Sequence, residues 1–204
     1  MALADLSFKL YNDSGLTSLF GGTLSFTHQS DLSDNPQNAL LYFGSPSAGM
    51  QLKATSNPGV DNVTITPTDI LPGWVASTAQ ALGYSAEPTV ENDRRYVVTT
   101  AGTSAASEPT WPTAVGSSVT DGTIIWKCVA KTHEVAEIKL ATSLAGLDSA
   151  TAGASLNLGT TLLSTSGNAI PVHVRITNTV TTPSSNVAAP ELALYINNVT
   201  ETAV

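Results

Sequence analysis

Residues able to do chemistry are few in this chain, and their spacing does not assemble a reaction. The three histidines, His28, His133 and His173, lie far apart with no metal-ligand spacing between them. Asp31 and Asp34 with Asn35 make a polar loop whose oxygens suit Ca²⁺, but no glycine-centred calcium-loop pattern surrounds them. "GLTSLFGG" (15–22) and "AGTSAAS" (101–107) hold serines without a Gly-x-Ser-x-Gly elbow. No pair of carboxylates stands out for glycoside cleavage. "ENDRR" (91–95) reads as a turn with solvated charges. Cys128 is the only cysteine, which excludes an intrachain disulfide and a multi-thiolate metal site. Its neighbours Trp126, Lys127 and Val129 place it in a strand as a small buried hydrophobe. No catalytic, cofactor-binding or metal-binding residue is assigned, and the expectation is a protein that is not an enzyme.

The remaining chemistry is aromatic. All three tryptophans, Trp74, Trp111 and Trp126, fall within residues 73–131. A tryptophan either buries roughly 150–250 Å² in a core or offers a flat face to a sugar ring. Trp111 is held between Pro109 and Pro112, whose rings restrict the loop. Trp126 follows Asp121-Gly122, a two-residue hairpin signal, because a type I′ turn needs positive φ at both central positions. That hairpin joins 117–120 to 123–129 with Asp121 and Gly122 at its tip. A module of fewer than about 60 residues has a small core, so its aromatic side chains must supply most of the buried area. Tyr96, Pro109, Pro112, Gly116, Asp121, Gly122 and Trp126 are therefore read as structural. Trp74, in a Pro-Gly-Trp junction outside any strand, joins Tyr84 and Trp111 as the candidate contacts to a glycan or partner.

The elements that must position these residues are strands. "LSFKLYN" (6–12), "GTLSFTHQS" (22–30), "ALLYFGS" (39–45) and "NVTITPTD" (62–69) carry β-branched and aromatic residues, in part alternating apolar with polar, with Pro67 suiting a strand end. The same texture returns in "EVAEIKLA" (134–141), "ASLNLGT" (154–160), "IPVHVRITNTV" (170–180) and "ELALYINNV" (191–199). In 170–180, Val172, Val174 and Ile176 face one way and His173, Arg175 and Thr177 the other. Between these blocks lie "RRYVVTTA" (94–101) and "SSVTDGTIIWKCVA" (117–130). Helical signals are limited to a turn or two at 76–82 and one turn at 144–152. The chain reads as all-β: an antiparallel β-sandwich from 1–72 plus 132–204, with a small Trp-rich β module inserted at 73–131.

Composition bounds the partners. Charged residues are 12% of the 204, about half the usual share, and Ser, Thr, Asn, Ala and Gly fill the difference. Such a neutral polar surface suits a protein packed beside many neighbours. Sixteen acidic against eight basic residues give a net charge of −8, which argues against nucleic-acid binding, since little displaces counterions from phosphate. No run of about 18 apolar residues offers a membrane span. "MALADLSFKL" lacks a basic start and an apolar core, so folding in a cytoplasm is expected.

The stretch from Trp74 to Trp126 resembles a small β module that recurs in virion proteins of tailed phages. The matching positions are Trp74, Gly83, Pro88, Tyr96, Ala101 to Ser104, Pro109 to Pro112, Gly116, Asp121, Gly122 and Trp126, spread over about a quarter of the chain. More distantly it is similar to the chitin-binding modules of secreted hydrolases. The flanks, "LYFGSPSAGMQLKATSNPGVDNVTITPTD" and "EIKLATSLAGLDSATAGASLNLGTTLLSTSGNAIPVHVRITN", are similar to small β-sandwich proteins encoded among tailed-phage structural genes, in which the two halves lie closer together. The resemblance implies a structural component of the virion, made in the bacterial host cytoplasm. It implies packing against other virion proteins and copies of itself, a trimer being favoured among the symmetric assemblies. Tail tip or baseplate is the expected place, with capsid decoration and glycan-binding receptor recognition as the alternatives, and with no cofactor.

Overall fold

The computed structural model describes residues 6–29, 31–180 and 191–204. The first five residues, on which part of the leader reading rests, and 181–190, read as sandwich, lie outside it. The chain is nearly all β, at 41% strand and 5% helix, in several antiparallel sheets consistent with a sandwich-like fold. Among the described residues the strands are β1 (Lys9–Tyr11), β2 (Gln37–Gly44), β3 (Met50–Ala54), β4 (Val63–Asp69), β5 (Ala79–Gln80), β6 (Ser85–Ala86), β7 (Arg95–Thr100), β8 (Gly102–Thr103), β9 (Ser118–Asp121), β10 (Ile124–Ala130), β11 (Ile138–Ala141), β12 (Leu156–Gly159), β13 (Leu162–Leu163), β14 (Ile170–Ile176), β15 (Leu192–Ile196) and β16 (Val199–Ala203), with one α-helical turn, α1 (Gly146–Ser149).

The chain divides into two compact units. One comprises Met1–Thr68, Val135–Asn178 and Leu194–Val204; the other comprises Asp69–Glu134 and Thr179–Ala193. Sequence put the module's limits at 73 and 131; the contacts put the unit's limits at 69 and 134 and add residues near Glu191 to it.

In the first unit the sheets run β1-β2-β14-β11, β12-β4-β15 and β13-β3-β16. The long pairing of β2 with β14 holds Val172 opposite Leu41 and Val174 opposite Ala39. Alternation decides which face is covered: Val172 and Val174 are fully buried with Leu41, Leu52, Val63 and Ile65, while His173 and Arg175 are partly exposed. Phe8 and Phe43 meet at 6.1 Å in this core. Pro67 points into the core, beyond Ile65, the last residue that β12 pairs in the common register, so that ladder needs no donor from it.

Four local readings are corrected. Residues 22–29 form no strand, and Ser30 lies outside the described residues; side chains take the backbone groups there, with Gln37 Nε2 donating to the Thr27 carbonyl and Asp34 accepting from Gln29 N–H. The turn expected at 76–82 is not helical, because Ser77 holds φ at 51° and its N–H donates to the Ala105 carbonyl, leaving 79–80 to pair with β8. In 134–141 only the second half is strand; Val135–Glu137 winds as a single 3-10 turn. The run 191–199 is broken at Asn197, whose side chain accepts Thr64 N–H and donates to the Asn62 carbonyl, and a further strand, β16, follows. The turn within 144–152 is present as α1.

Candidate functional site

The second unit is built on the sheet β6-β7-β10-β9 and the small pair β5-β8. On β10 the inward residues Ile124, Trp126 and Cys128 are buried, and Tyr96 and Val98 of β7 join them with Ala86 of β6. Trp74, Tyr84, Trp111 and Val119 pack against this core from partly buried positions. Trp111 lies 5.6 Å from Trp126 at 66° and 4.4 Å from Tyr96. Tyr84 meets Trp126 at 6.2 Å and 58°. Each favourable aromatic pair adds about 0.5–1.5 kcal/mol beyond area burial.

The hairpin differs by one residue from its sequence reading. Asp121 pairs with Ile124, so the two loop residues are Gly122 and Thr123. Gly122 holds φ at 60° and Asp121 does not share the left-handed region, which is the pattern of glycine at the first central position. A Cβ on Gly122 would collide with the Thr103 carbonyl oxygen and stand 2.9 Å from the Ala105 nitrogen. Asp121 is drawn inward instead, because its carboxylate is an acceptor for three N–H groups. Oδ2 accepts Trp74 Nε1 at 2.7 Å and Trp126 Nε1 at 3.0 Å, and Oδ1 accepts Ala105 N at 2.7 Å.

A second carboxylate does the same for Trp111. Glu108 Oε1 accepts Trp111 Nε1 and Thr89 N, both at 2.8 Å. The Tyr96 hydroxyl donates to the Pro112 carbonyl at 3.0 Å and accepts from Asn92 Nδ2 at 2.8 Å. The loop carrying Pro109 and Pro112 is thus tied at both ends, and both prolines are half-buried. Gly116, at φ 93°, donates its N–H to the Cys128 carbonyl and lets the chain turn into β9. Burial pushes the Cys128 thiol above its ordinary range, so it is a weaker nucleophile than a free cysteine.

The candidate contacts Trp74, Tyr84 and Trp111 therefore lie in one cluster with the residues read as structural, and each indole N–H already has a carboxylate acceptor. The turn reading of 91–95 is corrected at Arg95, which is 3% exposed and bonds Glu191 at 2.8 Å. Glu191 also accepts His133 N–H at 2.8 Å through its other oxygen. No sequence signal marked that pairing, since nearly a hundred residues separate its partners. Burial first, then repulsion from Asp69, Glu91, Glu134 and Glu191, raises Glu87 to about 7. Glu134 is raised as well, chiefly by burial.

Outside this unit, Asp31 accepts Ser33 N–H and Asp34 accepts Gln29 N–H and Gln37 Nε2. Asn35 is joined to Asn178 by two hydrogen bonds. Among the described residues no group of three or more His, Cys, Asp or Glu is placed to hold a metal ion, and no helix is long and apolar enough to cross a membrane. No protein family matches the chain, and no curated protein or solved structure matches it significantly.

Proposed function

We propose that the chain is a non-enzymatic structural component of a tailed-phage virion, associated with the tail tip or baseplate and held by copies of itself and by other virion proteins. The observation that carries this reading is the use made of the resemblance-bearing residues. Trp74, Tyr96, Pro112, Gly116, Asp121 and Trp126 all serve one internally bonded aromatic core. That is the construction of a stiff spacer. The low charge of the whole chain suits close packing against neighbours. The test is immunogold labelling of tailed particles purified from cultures carrying the gene. Label at the tail end is expected; label on the head would move the protein to capsid decoration, and unlabelled particles would refute the virion reading.

Incomplete burial of Trp74, Tyr84 and Trp111 favours a second role, recognition of a host glycan by the same unit. Iodide quenching of variants that each retain a single tryptophan distinguishes the two. Quenching at Trp111 that added glycan suppresses supports recognition, and quenching unaffected by glycan supports the spacer alone.

A further inference from the structure

The loop before β2 carries the oxygen donors that suit Ca²⁺, and folding turns most of them elsewhere. Asp31 accepts Ser33 N–H at 3.1 Å within its own turn. Asn35 is engaged by Asn178, donating to its carbonyl at 2.7 Å and accepting its N–H at 3.2 Å. Asp34 remains, and a calcium ion asks for about six to eight oxygens.

What folding adds to Asp34 is a nitrogen. The His28 side chain is 9% exposed, and its Nδ1 stands 3.7 Å from Asp34 Oδ1. Both ring nitrogens are buried, and neither has a hydrogen-bond partner. An imidazole always carries at least one N–H, so burial of the pair without a partner is costly. The distance to Asp34 is too long for a hydrogen bond, which spans about 2.7–3.2 Å. It is close to the separation of two ligands on one ion: with bonds of about 2.1 Å, tetrahedral neighbours lie about 3.4 Å apart.

The carboxylate is held in place by the protein itself. Oδ1 accepts Gln29 N–H at 3.1 Å, and Oδ2 accepts Gln37 Nε2 at 2.7 Å. The same Gln37 amide donates to the Thr27 carbonyl at 2.7 Å. Both chain neighbours of His28 are therefore tied to the segment that carries Asp34. Hydrogen bonds of this kind orient metal ligands and raise affinity.

We propose that His28 and Asp34 form a binding site for a divalent transition-metal ion such as zinc, which clips residues 27–29 to residues 34–37 at the entry to β2. An imidazole nitrogen beside a carboxylate oxygen favours Zn²⁺ or Ni²⁺ over Ca²⁺ and Mg²⁺. Among the described residues no third His, Cys, Asp or Glu joins the pair. Water completes the coordination from the side of Asp34, which is 22% exposed. The ion is therefore exchangeable, unlike one enclosed by four protein ligands.

The test uses the untagged full chain, stripped of metal by a chelator and titrated with Zn²⁺ while NMR follows the histidine ring nitrogens. The His28 signals should shift and saturate at one equivalent, with those of His133 and His173 unmoved. Calorimetry should show binding weakened about tenfold or more by His28→Gln and by Asp34→Asn. Gln37→Ala, which removes only the support of the carboxylate, should weaken it about tenfold. His173→Gln should leave it unchanged, and excess Ca²⁺ should not displace zinc. The ring-nitrogen shifts are read on the wild-type chain, so they stand even if a variant fails to fold. Unmoved His28 signals, zinc binding that survives His28→Gln, or displacement by Ca²⁺ would overturn the site.

Discussion

Replacing Asp121 by asparagine is the sharpest test of how the second unit is held together. The amide matches the carboxylate in shape, but one of its two ends donates instead of accepting. With its nitrogen in place of Oδ2 it would face two indole N–H groups; in place of Oδ1 it would face only the Ala105 N–H. The second orientation is the cheaper. It loses one bond and leaves a part-buried donor unsatisfied, at about 1–3 kcal/mol. It also weakens the two indole bonds from charged to neutral acceptors, at about 1 kcal/mol each. The sum is about 3–5 kcal/mol, against a whole-domain stability of roughly 5–15 kcal/mol.

Urea unfolding followed by tryptophan fluorescence measures that loss directly, and near-UV circular dichroism reports whether the rings keep their packing. A double-mutant cycle of Asp121→Asn with Trp74→Phe should show coupling of about 1 kcal/mol or more, since Trp74→Phe removes one of the same bonds. A loss below about 1 kcal/mol, or no coupling with Trp74, would refute the claim that Asp121 is the common acceptor.

Gly122→Val should destabilise the unit by about 2–4 kcal/mol, combining a β-branched residue at positive φ with a collision against the Thr103 carbonyl; an unchanged melting temperature would contradict the turn. Glu191→Ala should cost about 3–5 kcal/mol by leaving the Arg95 guanidinium without its carboxylate. The double change Glu191→Leu with Arg95→Met should recover much of it, as measured by the same urea titration.

What the sequence made legible is what depends on near neighbours. The alternation in 170–176 placed Val172 and Val174 in the core and His173 outside it, and both follow from a strand covered on one face. The hairpin was legible to within one residue, because Asp-Gly announces a turn without saying which of the two is inside it. Asp121 stays in the strand with its carboxylate buried, where it accepts the N–H groups of Trp74, 47 residues earlier, of Ala105 and of Trp126. Arg95 looked solvated for a similar reason, as its partner Glu191 is remote in the chain. Charge repulsion at Glu87 was equally hidden, since Asp69, Glu134 and Glu191 reach it only through folding.

One local rule does emerge from the acceptors. A small sheet buries tryptophan for its area, but each buried indole carries a donor that must be satisfied. In the four-stranded sheet of this unit many backbone carbonyls are engaged between strands, so side-chain carboxylates receive the indoles. Both lie just upstream of a tryptophan: Glu108 three residues before Trp111 and Asp121 five before Trp126. The third indole, Trp74, shares Asp121 instead of having an acceptor of its own, which makes that one carboxylate the point where the junction, the hairpin and the core are joined. In a short Trp-rich β stretch, an acidic residue three to five positions before a tryptophan is therefore better read as its acceptor than as a solvated turn charge. At Asp121 the turn signal and the acceptor role coincide in a single residue, and burial of the neighbouring indoles decides between them in favour of the acceptor.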